Sequence, residues 1–351
     1  MADAFPPSSL RLILDRQALA ENWRVLDRMS GTARTGAAVK ADAYGTGLGQ
    51  AVPVLQQCGA RDFFVAHWSE CSTLLELGVA AENIAVLHGV VTAQEAAFAR
   101  QCGARPVINS IHQAALWIQA GGGPCHLMVD TGINRLGVAA SDLGNPQVAA
   151  LDVEVLLSHL ACADEDSPAN VRQLAAFREI AAQHPAPVKS LANSAGIALG
   201  ADYAFDMTRP GLALYGGVPR DELAGPIRQV VFPQAAIIQR RRLRKGDSVG
   251  YNAMFTAPAD MEVGTVSIGY ADGFLRCRGE GAMLQQNGEI LPVVGQVSMD
   301  MIIVDLAAAN HLKEGDFLDV PFDLPGVSAR SGLSQYELLT TLGHRFARFL
   351  R

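Results

Sequence analysis

Short apolar runs alternate with longer stretches of helical periodicity over the first two-thirds of the chain. Eight such runs lie between Arg34 and Gly217: GAAVKA (36–41), DFFVAH (62–67), NIAVLHG (83–89), RPVIN (105–109), CHLMVD (125–130), VEVLLSH (153–159), VKSLANS (188–194) and DMTRPGLALYG (206–216). Nearly continuous apolar runs separated by amphipathic helices are typical of parallel strands covered on both faces. Their number and spacing predict a (β/α)8 TIM-type barrel.

An open, doubly wound sheet would also alternate strands with helices. That fold usually carries a glycine-rich dinucleotide turn, and the nearest candidate, GTGLGQ at 45–50, lacks the third glycine of the pattern. The barrel is therefore the preferred interpretation.

The pattern changes after Gly217. A polar connection leads into short alternating strands separated by KGD, QNGE and KEGD turns, which predict a compact, mainly β domain. We place the barrel at 1–225 and the β domain at 226–351, and the N-terminal strand 10–15 is a candidate partner for the β domain. The final segment, SGLSQYELLTTLGHRFARFL, predicts a short helix and a closing strand.

The composition fits a chain with two folded domains. At about 150 residues per domain, 351 residues with 49% hydrophobic and 18% charged side chains can bury a sizeable core. A net charge of −7 argues against a nucleic-acid partner. We expect no membrane span and no signal peptide, and hence a cytoplasmic protein. Six scattered cysteines without a CxxC pair predict buried, reduced thiols rather than disulfides or a metal site.

Catalytic groups of such a barrel lie at the carboxyl ends of its strands. The polar residues that end the eight runs are Lys40, His67, His88, Asn109, Asp130, His159, Asn193 with Ser194, and Arg209. Lys40 differs from the others because burial within AAVKADAYG excludes an ammonium group unless it is neutralised or bonded. A desolvated lysine has a lowered pKa and forms a Schiff base with a carbonyl compound. A lysine that reaches solvent at a strand edge is the alternative, and position alone favours it.

Further motifs follow Lys40 in a defined order. After AAVKADAYGTG come VDTGINRLGV (129–138), LLSHLACAD (156–164), LANSAG (191–196), TRPGLALYGG (208–217), VGYNAMFTA (249–257), SIGYADGF (267–274) and GQVSMDM (295–301). In this order the motifs resemble the alanine racemases, pyridoxal phosphate (PLP) enzymes built as a barrel plus a β domain. Each motif is weak evidence by itself, whereas several in register are specific.

The resemblance implies an isomerase that interconverts L- and D-alanine with two bases. Lys40 would hold PLP and act on one face of the substrate Cα, and Tyr251 would act on the opposite face. PLP serves as an electron sink, while the protein supplies bases and electrostatics. Arg209 would donate a hydrogen bond to the pyridine nitrogen, since a guanidinium keeps its proton. His159 would pack on the cofactor ring and bond toward Arg209.

The resemblance also assigns ligand contacts and a homodimer. Phosphate requires N–H and hydroxyl donors, and the matching residues are Tyr44, Ser194, Gly211 and Leu212, with His344 carried over only weakly. Arg135 would bind the substrate carboxylate together with the backbone of Met299, and Tyr270 and Asp300 would line the entrance. In the implied dimer each β domain covers the barrel of the other chain, so the active sites are shared.

Two positions depart from the family pattern. The family commonly has a lysine just before VDTG, which can be carbamylated and helps to hold the carboxylate-binding arginine. Here Met128 takes that position, so the support of Arg135 is left to an anion or another side chain. The usual histidine of AYGHG is replaced by Thr46.

Three alternative functions are weighed against alanine racemisation. A related barrel decarboxylase of basic amino acids uses a cysteine motif that the SMDM region lacks, and it has no VGYNA tyrosine. A non-catalytic PLP-binding protein would resemble the barrel alone, whereas the resemblance here extends through 227–351. A racemase of serine or of broader specificity is left open by the sequence. So is the choice between D-alanine supply for peptidoglycan and alanine catabolism.

Overall fold

The computed structural model describes residues 6–351, which form two compact units. One unit spans 17–228, and the other joins 229–351 to the N-terminal segment ending at Arg16. The strands of the described chain are β1 Leu10–Leu14, β2 Arg34–Thr35, β3 Ala37–Ala38, β4 Phe63–Val65, β5 Ile84–Val86, β6 Arg105–Ile108, β7 Pro124–Met128, β8 Asp152–Leu157, β9 Val188–Ser190, β10 Met207–Thr208, β11 Val231–Leu243, β12 Ser248–Val249, β13 Phe255–Thr256, β14 Met261–Val266, β15 Met283–Gln286, β16 Glu289–Val294, β17 Ile302–Asp305, β18 Phe317–Asp319 and β19 Ala347–Leu350. The right-handed α-helices of the same residues are α1 Arg16–Ser30, α2 Leu48–Cys58, α3 Cys71–Glu76, α4 Ala93–Cys102, α5 Ile111–Gln119, α6 Pro146–Ala149, α7 Pro168–Gln183, α8 Ser194–Ala198, α9 Leu324–Ser331 and α10 Gln335–Thr340.

The 17–228 unit is a parallel barrel. Strands β3 to β9 form one sheet in sequence order, and β2, which leads into β3, pairs in parallel with β10. The Asp206 amide donates to the Lys189 carbonyl at 3.1 Å, and the Arg209 amide donates to the Ala192 carbonyl at 2.9 Å. These bonds join β10 to the end of β9 and close the ring. The predicted barrel is confirmed, and each of the eight apolar runs contains one of its strands.

Side-chain caps begin several of the barrel helices that follow a strand. Thr92 accepts a hydrogen bond from the Glu95 amide at the start of α4. Asn193 caps α8 in the same way through the Gly196 amide at 2.8 Å. Such caps stabilise a helix by about 1 kcal/mol each. They fix the strand-to-helix turns at the end of the barrel where the polar strand-end residues lie.

The second unit is an antiparallel β-barrel, as the mainly β pattern predicts. Its sheet order is β14-β17-β16-β15-β18-β11-β1-β19, and a further pairing of β14 with β11 closes a ring of six strands. The N-terminal strand β1 lies antiparallel to β11 and parallel to β19. A small hairpin of β12 and β13 packs on an apolar cluster that includes Leu243, Val249 and Val263.

The structure also bears on the membrane and cysteine expectations. None of the helices in the described part of the chain is long and apolar enough to cross a lipid bilayer. All six cysteines are free thiols. Cys71 and Cys125 are buried, whereas Cys277 is exposed, so the expectation of uniformly buried thiols is wrong.

Candidate active site

Lys40 follows β3 and begins a left-handed turn. Residues 41–44 all have φ angles between 52° and 56°, a conformation that costs an L-residue about 1–2 kcal/mol. The Glu70 carboxylate offsets this cost because one oxygen accepts from the Ala41 amide at 2.5 Å and the other from the Ala66 amide at 2.8 Å. Glu70 therefore ties the lysine turn to the end of β4.

The amine of Lys40 lies in an environment that favours its neutral form. Burial lowers the pKa of Lys40, and the positive charges of Arg135 and Arg209 lower it further, while Glu70 opposes the change. A neutral amine is the form that attacks a carbonyl carbon. Lys40 therefore combines placement at a strand end with a lowered pKa, which favours the covalent attachment of an aldehyde.

Arg209 is buried immediately after β10, and its guanidinium is fixed. Nη1 donates to the Ser190 hydroxyl oxygen, and Nη2 donates to the Ser158 carbonyl at 2.6 Å. The Ser190 hydroxyl itself donates to the Met207 carbonyl at 2.6 Å, which leaves its lone pairs for the arginine. Burial lowers the pKa of Arg209 to about 10, so the group is still a cation at neutral pH. It has five N–H donors, and those not used in these bonds are available to a ligand.

His159 is neutral at physiological pH. Burial lowers the pKa of His159 to about 3, and the charges of Arg209, Arg135 and Lys40 contribute to the shift. Among the described residues, no hydrogen bond joins His159 to Arg209, although the resemblance implies one. The Ser190 hydroxyl and the Ser158 carbonyl hold Arg209 instead.

Ser194, Gly211 and Tyr44 form an anion cradle at the start of α8. The Ser194 hydroxyl oxygen accepts from the Gly211 amide at 2.9 Å and from the Ala213 amide at 3.2 Å. The Tyr44 ring stacks on Tyr215 with 4.9 Å between ring centroids, and its hydroxyl lies against Gly211. Because its oxygen accepts both bonds, the Ser194 hydroxyl still has its hydrogen to donate, and a hydroxyl donor oriented in this way suits a phosphate group. The Ala213 amide is the second donor to Ser194, and the phosphate contact expected of the Leu212 amide stays a prediction.

Arg135 lies in a loop that spans 130–138. The neck of the loop is closed by bonds from the Val138 amide to the Met128 carbonyl at 2.8 Å and from the Asp130 amide to the Val138 carbonyl at 3.0 Å. The Asp130 carboxylate accepts from three amides inside the loop. Arg135 is exposed and has no ion pair within the described chain, so its guanidinium is available to a carboxylate. Met128 is buried and adds no charge.

The β unit brings together three of the predicted residues: Tyr270, Met299 and Asp300. The Tyr270 amide donates to the Ser298 carbonyl at 3.1 Å, which joins the two loops that carry them. Arg345 pairs with Asp300 at 2.8 Å and with the buried Asp272 at 2.7 Å. This bridge fixes the loop of Asp300 in the unit's structure, while the neighbouring His344 is exposed.

Tyr251 lies in the turn between β12 and β13. Its side chain is 66% exposed, and the following Asn252 and Ala253 have positive φ angles. Lys40 and Tyr251 thus belong to different units of the chain. Both are strand-end or turn residues whose side chains are not used in the core.

Sequence reasoning missed the residues that hold the predicted ones in place. They are Glu70, Thr131, Ser158, Gln173, Ser190 and Tyr215. Only Glu70 has a local signal, since it lies three residues after His67 in a capping box. Of the other strand-end residues, His67 and His88 contact each other edge to face at 4.3 Å between centroids. The side chain of Asn109 donates to the Leu87 carbonyl.

The barrel residues fit PLP in each of its functional groups. The amine of Lys40, whose pKa burial lowers, suits the aldehyde, and the cradle around Ser194 and Gly211 suits the phosphate. Arg209 presents fixed N–H donors that suit an unprotonated pyridine nitrogen. A closed barrel with this set of groups at the carboxyl ends of its strands defines a PLP-dependent barrel enzyme.

Comparison with known proteins agrees with this class. Residues 14–219 match the alanine racemase N-terminal domain, and residues 230–350 match the alanine racemase C-terminal domain. The chain belongs to the alanine racemase family. It is 41% identical to the biosynthetic alanine racemase of Agrobacterium fabrum, with 99% of this chain and 95% of the relative covered. It is 40% identical to the alanine racemase of Rhizobium meliloti, with 98% and 97% covered.

Solved structures show the same architecture. The alanine racemase of Bartonella henselae, with covalently bound pyridoxal phosphate, superposes with a TM-score of 0.88 at 36% identity and covers 99% of this chain and 100% of its own. The biosynthetic alanine racemase of Pseudomonas aeruginosa has a TM-score of 0.86 at 31% identity, with 97% and 99% covered. The likeness therefore extends over both units.

Proposed function

We propose that this protein is a PLP-dependent alanine racemase that interconverts L- and D-alanine by a two-base mechanism. The observation that carries the proposal is the desolvated Lys40 beside two arginines, on a turn that also places Tyr44 in the anion cradle. Membership of the family supports the same reaction. The named biosynthetic relatives support a role in supplying D-alanine for peptidoglycan, a cytoplasmic synthesis.

Two side chains of the chain act on opposite faces of the substrate Cα. When bound, PLP supplies an electron sink that weakens the Cα–H bond. Lys40 removes or returns the proton on one face, and Tyr251 does so on the other. Two opposed bases are needed because a single base would have to cross the plane of the reacting carbon. Arg135 holds the substrate carboxylate by a charge-assisted hydrogen bond.

Arg209 and His159 tune the reaction without exchanging protons with substrate. Arg209 would donate a hydrogen bond to the pyridine nitrogen of bound PLP and, because a guanidinium keeps its own proton, would leave that nitrogen unprotonated. This contact would moderate the electron sink and limit side reactions such as transamination. Burial lowers the pKa of His159 to about 3, so this side chain adds no positive charge beside Arg209.

The proposed active unit is a homodimer in which the β unit of one chain completes the barrel site of the other. Large apolar side chains are exposed on the β unit: Tyr251 66%, Met254 71%, Met299 53% and Met301 38%. Exposed apolar groups of this kind mark interaction surfaces. A barrel site also needs a cover that excludes water from the reacting carbon. The β unit of a second copy would provide both.

The proposal is tested by the product and by the site of cofactor attachment. The purified protein should form D-alanine from L-alanine, and a panel of other L-amino acids should separate alanine specificity from serine or broad specificity.

The site of cofactor attachment is the second test. The chain has four lysines: Lys40, Lys189, Lys245 and Lys313. After borohydride reduction, mass spectrometry should find the pyridoxyl group on Lys40. Lys40→Ala should abolish attachment and activity, whereas Lys189→Ala, whose amine donates to the Ala186 carbonyl, should keep both. An adduct on another lysine or the absence of D-alanine would overturn the proposal.

A further inference from the structure

The loop that carries Arg135 is anchored to the barrel wall through Thr131. The Thr131 hydroxyl oxygen lies 2.7 Å from the hydroxyl oxygen of Ser158, at the end of β8. It also accepts from Nε2 of Gln173 at 3.4 Å. Thr131 is therefore the point where the loop side chain meets both a strand end and a helix.

Gln173 holds the other side of this junction. It is a buried residue of α7, and its Oε1 accepts from the Ala161 amide at 2.8 Å. Its Nε2 donates to the His159 carbonyl at 3.0 Å. The amide group thus fixes the segment that carries His159 while it contacts Thr131.

Ser158 connects the junction to Arg209. The Ser158 carbonyl accepts from Nη2 of Arg209 at 2.6 Å, while the Ser158 hydroxyl is bonded to Thr131. One residue therefore links the arginine of the cofactor site to the loop of Arg135. The loop itself is rigid, since the Asp130 carboxylate binds its amides, and a Cβ carbon on Gly137 would lie 2.6 Å from the Asp130 nitrogen.

We propose that Thr131, Ser158 and Gln173 are a positioning network that sets Arg135 relative to Arg209 and thereby determines affinity for the substrate carboxylate. The inference rests on the proposed function, because it takes Arg135 as the carboxylate-binding group. Met128 carries no charge, and Arg135 has no ion pair in the part of the chain that is described. The loop therefore determines the position of the Arg135 guanidinium, and the loop is anchored at Thr131.

Matched substitutions at the two hydroxyls test the network. Thr131→Val removes the hydroxyl and keeps the shape, whereas Thr131→Ser keeps the hydroxyl. Ser158→Ala removes the bond to Thr131 and leaves the carbonyl that Arg209 uses. The readouts are the Kd of acetate, as a simple carboxylate, by calorimetry on the PLP-loaded protein, and KM and kcat for L-alanine. PLP content and thermal unfolding verify that each variant is folded.

Thr131→Val and Ser158→Ala should each weaken acetate binding about tenfold, the loss expected for one hydrogen bond at about 1.4 kcal/mol per decade. KM should rise by the same factor with kcat nearly unchanged, and Thr131→Ser should match the wild type. Arg135→Ala is the reference variant, in which acetate binding should be lost completely.

Unchanged acetate affinity in folded Thr131→Val and Ser158→Ala would overturn the network, as would an equal loss in Thr131→Ser. These binding comparisons do not depend on turnover. If the wild type failed to racemise alanine, the proposed function would fall, and the acetate series would still decide the network.

Discussion

The hydroxyl group of Tyr44 occupies the space beside Gly211 in which any other residue would have its Cβ carbon. Tyr44 ends the left-handed turn that begins after Lys40, and the Gly211 amide donates to Ser194 in the anion cradle. The lysine turn and the cradle are thus fitted to each other by this contact.

Gly211→Ala should weaken PLP binding by about 5- to 150-fold, since forcing a methyl group into packed space costs about 1–3 kcal/mol and about 1.4 kcal/mol is a factor of ten. The Kd of PLP, measured by absorbance after dialysis, tests this. Gly225→Ala is the control, because a Cβ carbon there meets nothing within 4 Å. PLP affinity equal to that of the control would show that the contact with Tyr44 does not shape the cradle.

His126 should make the fold sensitive to acid. Burial within β7 lowers its pKa to about 4, partly opposed by Glu154, whereas an unfolded histidine titrates near 6.5. Between these values the unfolded chain binds more protons, so stability falls as pH falls, by about 1.4 kcal/mol per unit. Above pH 6.5 this group adds no slope.

His126→Gln should therefore reduce the slope of unfolding free energy against pH between 6.5 and 4 by about 1.4 kcal/mol per pH unit, measured by urea titration. His112→Gln, at an exposed position of α5, should keep the slope of the wild type. Identical slopes for the two variants would contradict the assignment. Part of the slope is left in His126→Gln, because burial also lowers the pKa values of His159, His88 and His184.

Tyr251→Phe should retain PLP and lose 10²–10⁴-fold in racemisation, the usual effect of deleting a positioned acid–base group. If Lys40 removes the Cα proton of D-alanine and Tyr251 that of L-alanine, the rate of deuterium exchange at Cα should fall less with D-alanine than with L-alanine. Tyr336→Phe, at another exposed tyrosine of the same unit, should behave as the wild type. Equal losses of exchange from both enantiomers would remove support for the stereochemical roles.

Shared active sites should be visible by complementation. Lys40→Ala and Tyr251→Phe homodimers should each have little or no activity, whereas their heterodimer should contain one intact site and one doubly damaged site. With statistical exchange about half of the dimers are mixed, so about a quarter of the wild-type activity should return. Mass spectrometry of intact dimers verifies the exchange. No activity in proven heterodimers would mean that each site is completed within one chain.

The sequence by itself determined the architecture. Eight short apolar runs at regular spacing leave few alternatives to a parallel barrel, because each run must be covered on both faces. The alternation after Gly217 likewise determined a β domain. Lys40 could be singled out for a local reason, since a charged amine in a buried strand is unfavourable unless the protein uses it. The individual site roles carried over from the family stay predictions.

The tertiary structure decided how those groups are held. Nothing in the residue types at 41–44 favours four successive left-handed residues, and the Glu70 carboxylate that stabilises the turn comes from a different strand end. The partners of Arg209 likewise come from two other strands, at Ser158 and Ser190. Such contacts have no periodicity along the chain. They arise only when barrel closure brings distant strand ends together, because hydrogen bonds depend on distance in space and not on separation in sequence.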